Sequence, residues 1–138
     1  MELVWRAAKI AALDEAILKF TKGYDTCVGE RGVTLSGGQK QRTAIAQVLM
    51  GNTPIMSFDD SLSAVDMETD AKIRRGLKEN TKDATVVLIS HRITTLMQAD
   101  HILVLDHGRI AEEGTHESLL RKDGLYAKIF AIQIAGAE

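Results

Sequence analysis

The chain has 138 residues, enough for one domain with its own core and too few for two large ones. Apolar residues at 45% and charged residues at 26% give an ordinary globular composition, and the net charge of −2 offers no electrostatic reason to expect nucleic acid or an anionic membrane surface as a partner. The single cysteine, Cys27, forms no internal disulfide, so a reducing compartment fits. No stretch reaches the roughly 18 to 20 apolar residues of a membrane span; the nearest, residues 129–137, is interrupted by Gln133. The N-terminus has charges early and no long apolar core, unlike a signal peptide. The chain itself is expected to be soluble, with membrane association arising through a partner or a segment outside it.

In chain order, residues 4–20 read as one amphipathic helix, with Trp5, Ala8, Ala12, Leu13, Ala16, Ile17 and Phe20 at three- and four-residue steps. Trp5 and Phe20 are expected in its core face, and Gly23 follows as a left-handed terminator. Residues 21–35 are turn-rich, and Cys27 among them reads as a small packing residue. A second helix is predicted over 36–50, stopped by Gly51-Asn52-Thr53-Pro54. Residues 55–58 and 84–89 are short apolar runs that suit parallel strands buried on both faces. Between them, 67–79 reads as a helix with Asp66 as N-cap, completing a strand–helix–strand unit. Residues 101–105 and 109–113 flank Asp106-His107-Gly108 as a hairpin. Thr115 caps a short helix ending near residue 121, and 126–133 forms the last one.

The most informative stretch is Leu35-Ser36-Gly37-Gly38-Gln39-Lys40-Gln41-Arg42. A hydroxyl and two glycines at a helix start present backbone N–H groups at the positive end of the helix dipole, an arrangement suited to phosphate. Ser-Gly-Gly alone reads equally as a capped helix after a flexible loop. The whole octapeptide, however, resembles the signature motif of ABC ATPases. Four more segments follow the family's order: Ile55-Met56-Ser57-Phe58-Asp59 resembles the Walker B strand, Ser63-Ala64-Val65-Asp66 the D-loop, and Ser90-His91-Arg92 the switch-histidine segment. Upstream, Thr26-Cys27-Val28-Gly29-Glu30-Arg31-Gly32 resembles the segment that faces the transmembrane domain in exporters. An isolated Asp59-Asp60 pair could merely end a strand, but carboxylates there sit where open α/β sheets bind ligands. His101, His107 and His116 have no comparable placement and receive no chemistry.

The resemblance implies an α/β fold: a partial P-loop NTPase (RecA-like) core with a parallel sheet, in residues 51–138, and an α-helical signature subdomain in residues 1–50. It implies ATP and Mg2+ as cofactors. Ser36, Gly37, Gly38 and Gln39 then contact the γ-phosphate of ATP held by a second cassette, and Asp66 touches that partner. Asp59 helps to hold the magnesium ion, while Asp60 and His91 are the catalytic pair. Residues 26–32 meet the transmembrane domain, placing the cassette on the cytoplasmic face of the cell membrane.

Two departures from the family pattern qualify this. No glycine is followed directly by lysine, so Gly-x-x-x-x-Gly-Lys-Ser/Thr, the phosphate-cradling Walker A loop, does not occur in these residues. The chain alone is therefore expected neither to bind ATP tightly nor to hydrolyse it, and to be oligomeric or marginally stable with apolar sheet surface uncovered. Asp60 stands where hydrolytic members usually have glutamate. Its carboxylate is drawn back by about 1 Å, an error that can cost about a hundredfold in rate. That pattern resembles the less active half of a heterodimeric exporter, whose site holds nucleotide with little turnover. An ABC ATPase of chromosome maintenance or DNA repair is the other alternative; the long coiled coils or zinc cysteines typical there are not seen.

Overall fold

A computed structural model describes residues 1–51 and 53–136. Asn52 of the stop signal and Ala137 of the C-terminal apolar run lie outside them. The chain forms two compact units, Met1–Ile89 and a second beginning at Ser90.

In the first unit, the single helix expected over 4–20 is two: α1 (Glu2–Ile10) and α2 (Asp14–Leu18). The break is a Schellman closure. Leu13 N–H donates to Ala8 O at 2.8 Å and Ala12 N–H to Lys9 O at 3.0 Å, with Ala12 left-handed at φ 51°. Periodicity does not reveal it, because an alanine rather than a glycine takes the left-handed position. Arg42 Nη1, 30 residues downstream, donates to Ala12 O at 2.7 Å. The buried face of α1 is Ala7 and Ala8, with Ala11 just beyond, and Trp5, expected in the core, is 48% exposed. Small side chains allow close approach to the next long helix, α3 (Gly37–Met50), and the large ring is left at a groove beside Arg6 and Lys9. Phe20 is half-buried. Gly23 is left-handed as expected, but opens a 3-10 turn over Gly23–Asp25.

The strand–helix–strand unit is present as β1 (Ile55–Asp59), α4 (Met67–Asn80) and β2 (Thr85–Ile89). The two strands pair in parallel, from Ile55 opposite Thr85 to Asp59 opposite Ile89. Met56 and Phe58 pack on Ile45 of α3 and on Ile73 and Leu77 of α4, so elements before and after residue 51 share one core. Each such fully buried side chain contributes about 1.5–3 kcal/mol. The expectation of strands buried on both faces is not met. On the opposite face Ile55, Val87 and Ile89 are 67%, 43% and 53% exposed, because the helices of this unit cover only one side and burial alternates along β1.

The second unit opens with a one-turn helix, α5 (Ile93–Leu96), that periodicity could not register in four residues. The hairpin β3 (Ile102–Asp106) and β4 (Arg109–Gly114) turns through His107 and Gly108, both at positive φ, the type I′ geometry that matches strand twist. Then come α6 (His116–Lys122) and α7 (Leu125–Ala135). Thr115 caps α6 through a reciprocal box with Ser118. Glu112 on β4 accepts the N–H groups of Leu125 and Tyr126, closing the start of α7. Ile93, Ile102, Leu119 and Tyr126 form this unit's core.

Candidate functional site

Ser36 and Gln39 form a capping box: Gln39 N–H donates to Ser36 Oγ at 3.3 Å, and Ser36 N–H to Gln39 Oε1 at 2.9 Å. The amides of Gly37 and Gly38 lie between them, in the first turn of a 14-residue helix. Gly38 has a steric reason to be glycine. A Cβ there would stand 2.9 Å from Ala64 O, whereas one on Gly37 would meet only Ala64 Cβ, at an ordinary 3.9 Å. The helix start is tied to the same loop a turn later. Gln41 Nε2 donates to Ser63 Oγ at 3.0 Å, and Ala64 N–H donates to Gln41 Oε1 at 3.0 Å. Residues 36–39 and 63–66, read separately in the sequence, are thus brought together.

Asp59 ends β1 on its exposed side, in step with Ile55 and Ser57. Asp60 follows at φ 45°, a left-handed conformation that aspartate tolerates better than most residues. Its N–H donates to Ile89 O at 2.9 Å, extending the pairing by one residue, and its carbonyl accepts Ser63 N–H at 3.1 Å. Leu62 and Val65 are buried beneath the loop. Asp66 N-caps α4, accepting Thr69 N–H at 2.9 Å and the Thr69 hydroxyl at 2.7 Å. These two hydrogen bonds, the backbone one first, hold its carboxyl below the usual carboxylate range. Among the described residues no three His, Cys, Asp or Glu side chains converge as a metal set. A cation at the strand end would find one protein carboxylate there, that of Asp59, on the exposed side of β1.

His91 lies in the second unit, exposed, after Ser90, whose Oγ accepts Arg92 N–H at 3.0 Å. Gln133 of α7 reaches the same segment twice: its Nε2 donates to His91 O at 2.6 Å, and its Oε1 accepts Ile93 N–H at 2.9 Å. Sequence reasoning singled out neither Gln41 nor Gln133 as a site residue. For Gln133 one signal existed, a lone polar residue in an apolar run.

Residues 27–33 make a tight exposed loop in which Val33 N–H donates to Cys27 O at 2.9 Å and Gly29 N–H to Val33 O at 3.3 Å. Gly32 lies so close that an added Cβ would sit 2.1 Å from Cys27 O. Cys27, expected to be a packing residue, is exposed, because its carbonyl rather than its side chain faces the loop. Just upstream, Tyr24 Oη donates to Asp14 Oδ1. Burial, then Asp14, pushes the Tyr24 hydroxyl up to about 12.

The family model described as ABC transporter matches residues 4–63. The chain is 45% identical over 135 residues to an ATP-dependent lipid A-core flippase of Haemophilus influenzae, covering 98% of this chain and 23% of that protein. It is 50% identical over 129 residues to an ATM1-type heavy metal exporter of Novosphingobium aromaticivorans, covering 94% and 21%. A solved bacterial Atm1-family ABC exporter with ATP bound is 48% identical and superposes with a TM-score of 0.90, over 96% of this chain and 23% of that one. The chain thus spans less than a quarter of each of these relatives. No helix among the described residues is long and apolar enough to cross a membrane. The α/β strand–helix–strand unit, the ordered motifs and these likenesses agree: the chain belongs to the ABC transporter family, as part of an exporter-type nucleotide-binding domain.

Proposed function

We propose that this chain works within a longer ABC exporter, coupling ATP binding and hydrolysis to transport across the membrane whose cytoplasmic face it occupies. The observation that carries this reading is the ordered start of α3, with Ser36–Gln39 locked in a capping box and held against loop 63–66. That helix end supplies amides and dipole for the γ-phosphate of ATP on a second cassette, while Asp66 meets that partner from its capped conformation. Residues 1–50 serve as the signature subdomain and 51–138 as half of the ATP-binding core. Asp59 holds magnesium with the phosphates, Asp60 orients the attacking water, and His91 donates a hydrogen bond to the γ-phosphate. Loop 26–32 contacts the transmembrane domain.

Titration of this chain alone with Mg-ATP should show binding no tighter than about 1 mM, near −4 kcal/mol. Micromolar binding would mean a phosphate site built without the lysine loop and would overturn the reading. In the complete transporter, Ser36→Arg should abolish turnover at the partner's site while leaving nucleotide binding at its own intact.

A second reading has its own support in Asp60, whose shorter side chain stands in the water-orienting position: a regulatory half of a heterodimer with little intrinsic hydrolysis. Asp60→Glu then raises turnover at this site; unchanged turnover counts against the heterodimer.

A further inference from the structure

Gln133 interrupts an otherwise apolar stretch of α7, where Ile129, Phe130, Ile132 and Ile134 surround it. Gln133 is half-buried, and its amide has two ends to satisfy, one donor and one acceptor. Both are satisfied. Nε2 donates to His91 O at 2.6 Å and Oε1 accepts Ile93 N–H at 2.9 Å, across 42 and 40 residues of sequence. A side-chain amide carries its donor and its acceptor on two separate atoms, so it can bracket a carbonyl and an N–H two residues apart. The bracket rests on fixed ground: Ile93 is 1% exposed in the second core, and α7 is anchored by Tyr126, 2% exposed, and by Glu112 at its start. Ser90 Oγ holds Arg92 N–H inside the bracket. The peptide on the carboxyl side of His91 is therefore oriented by α7, and with it the direction in which the imidazole leaves the backbone.

We infer that Gln133 is a positioning residue for His91, through which the C-terminal helix sets the placement of the γ-phosphate donor. This rests on the role proposed above for His91, so the test separates the two. In the complete transporter, Gln133→Leu keeps the shape and removes both hydrogen bonds. It should lower kcat by about tenfold with KM for ATP changed less than about twofold, as expected for misplacement rather than lost binding. Hydrogen exchange in the peptide spanning residues 91–96 should rise in the same variant. Gln133→Glu keeps the acceptor for Ile93 N–H but loses the donor to His91 O; it should restore the exchange protection and leave kcat lowered by about threefold. If the Leu variant does not assemble, the Glu variant decides alone by that kcat loss. Wild-type kcat in both variants, or a rise in KM matching the fall in kcat/KM, would overturn the assignment. His91→Ala with wild-type turnover would instead sink the role of His91; loss there beside wild-type turnover in the Gln133 variants sinks only Gln133.

Discussion

Two segments proposed to act on nucleotide are each bridged by a glutamine, one in each unit, and the bridges differ in where they come from. In the first unit Gln41, on the helix that carries Ser36–Gln39, holds Ser63 and Ala64 of the loop ahead of Asp66. One proposed partner-facing segment fixes another there, so a shift in either is felt by both. In the second unit Gln133 comes from a helix with no recognised motif, and the segment holding His91 leans on an apolar core. The same chemistry, one side-chain amide spanning two backbone or hydroxyl groups, yields a coupling between sites in one unit and a mounting for a single residue in the other.

The contrast can be broken or sharpened by substitution. The largest effect belongs to the mounting: Ile93→Ala, at a site 1% exposed, should cost about 2–5 kcal/mol in chemical denaturation. A cost under about 1 kcal/mol would mean that the His91 segment does not depend on the core beneath it. Next comes the contact between Gly38 and Ala64 O. Gly38→Ala should destabilise by about 1–3 kcal/mol, whereas Gly37→Ala, with ordinary space, should stay within about 0.5 kcal/mol of wild type; equal melting temperatures for the two would remove the steric half of the coupling. Gln41→Leu should cost about 1 kcal/mol, since its two hydrogen bonds are exposed. It should also speed amide exchange at Ala64 while leaving exchange at residues 45–48 unchanged.

The smallest effect is in pH. The carboxyl of Asp66 titrates below its unfolded value, so its cap on α4 is fully present above the unfolded pKa and fades as pH falls through the lower, folded one. Asp66→Asn, which caps without a charge, should flatten that acid limb; an unchanged acid limb in the Asn variant would show that the cap does not drive it.

These bridges also mark where sequence reasoning reached and where it stopped. Caps are local, so Ser36, Asp66 and Thr115 were legible from residue type three positions ahead of a backbone donor. So were β1, β2 and the His107-Gly108 turn. The motif-bearing segments were legible through resemblance to a family, since no periodicity distinguishes Asp60 or His91 from other polar residues. What escaped was held from far away. Arg42 braces the closure between α1 and α2, Gln41 the loop at Ser63, and Gln133 the His91 segment, and a single polar contact across 20 to 40 residues leaves no repeat to read. Burial of one strand face rather than two was also beyond reach, because an apolar run looks the same whichever face is covered.

Ala12 has a consequence for anyone wishing to handle this chain as a laboratory reagent. It sits left-handed at φ 51° in the Schellman closure, where an L-residue costs roughly 1–2 kcal/mol. Glycine removes that cost and returns only about 0.5–1 kcal/mol through its looser unfolded chain. The alanine methyl also packs on the first core, and losing it costs up to about 0.8 kcal/mol more. The left-handed alanine is thus held in place by its packing, and glycine at position 12 should change stability by less than about 1 kcal/mol while Arg42 still reaches the same carbonyl.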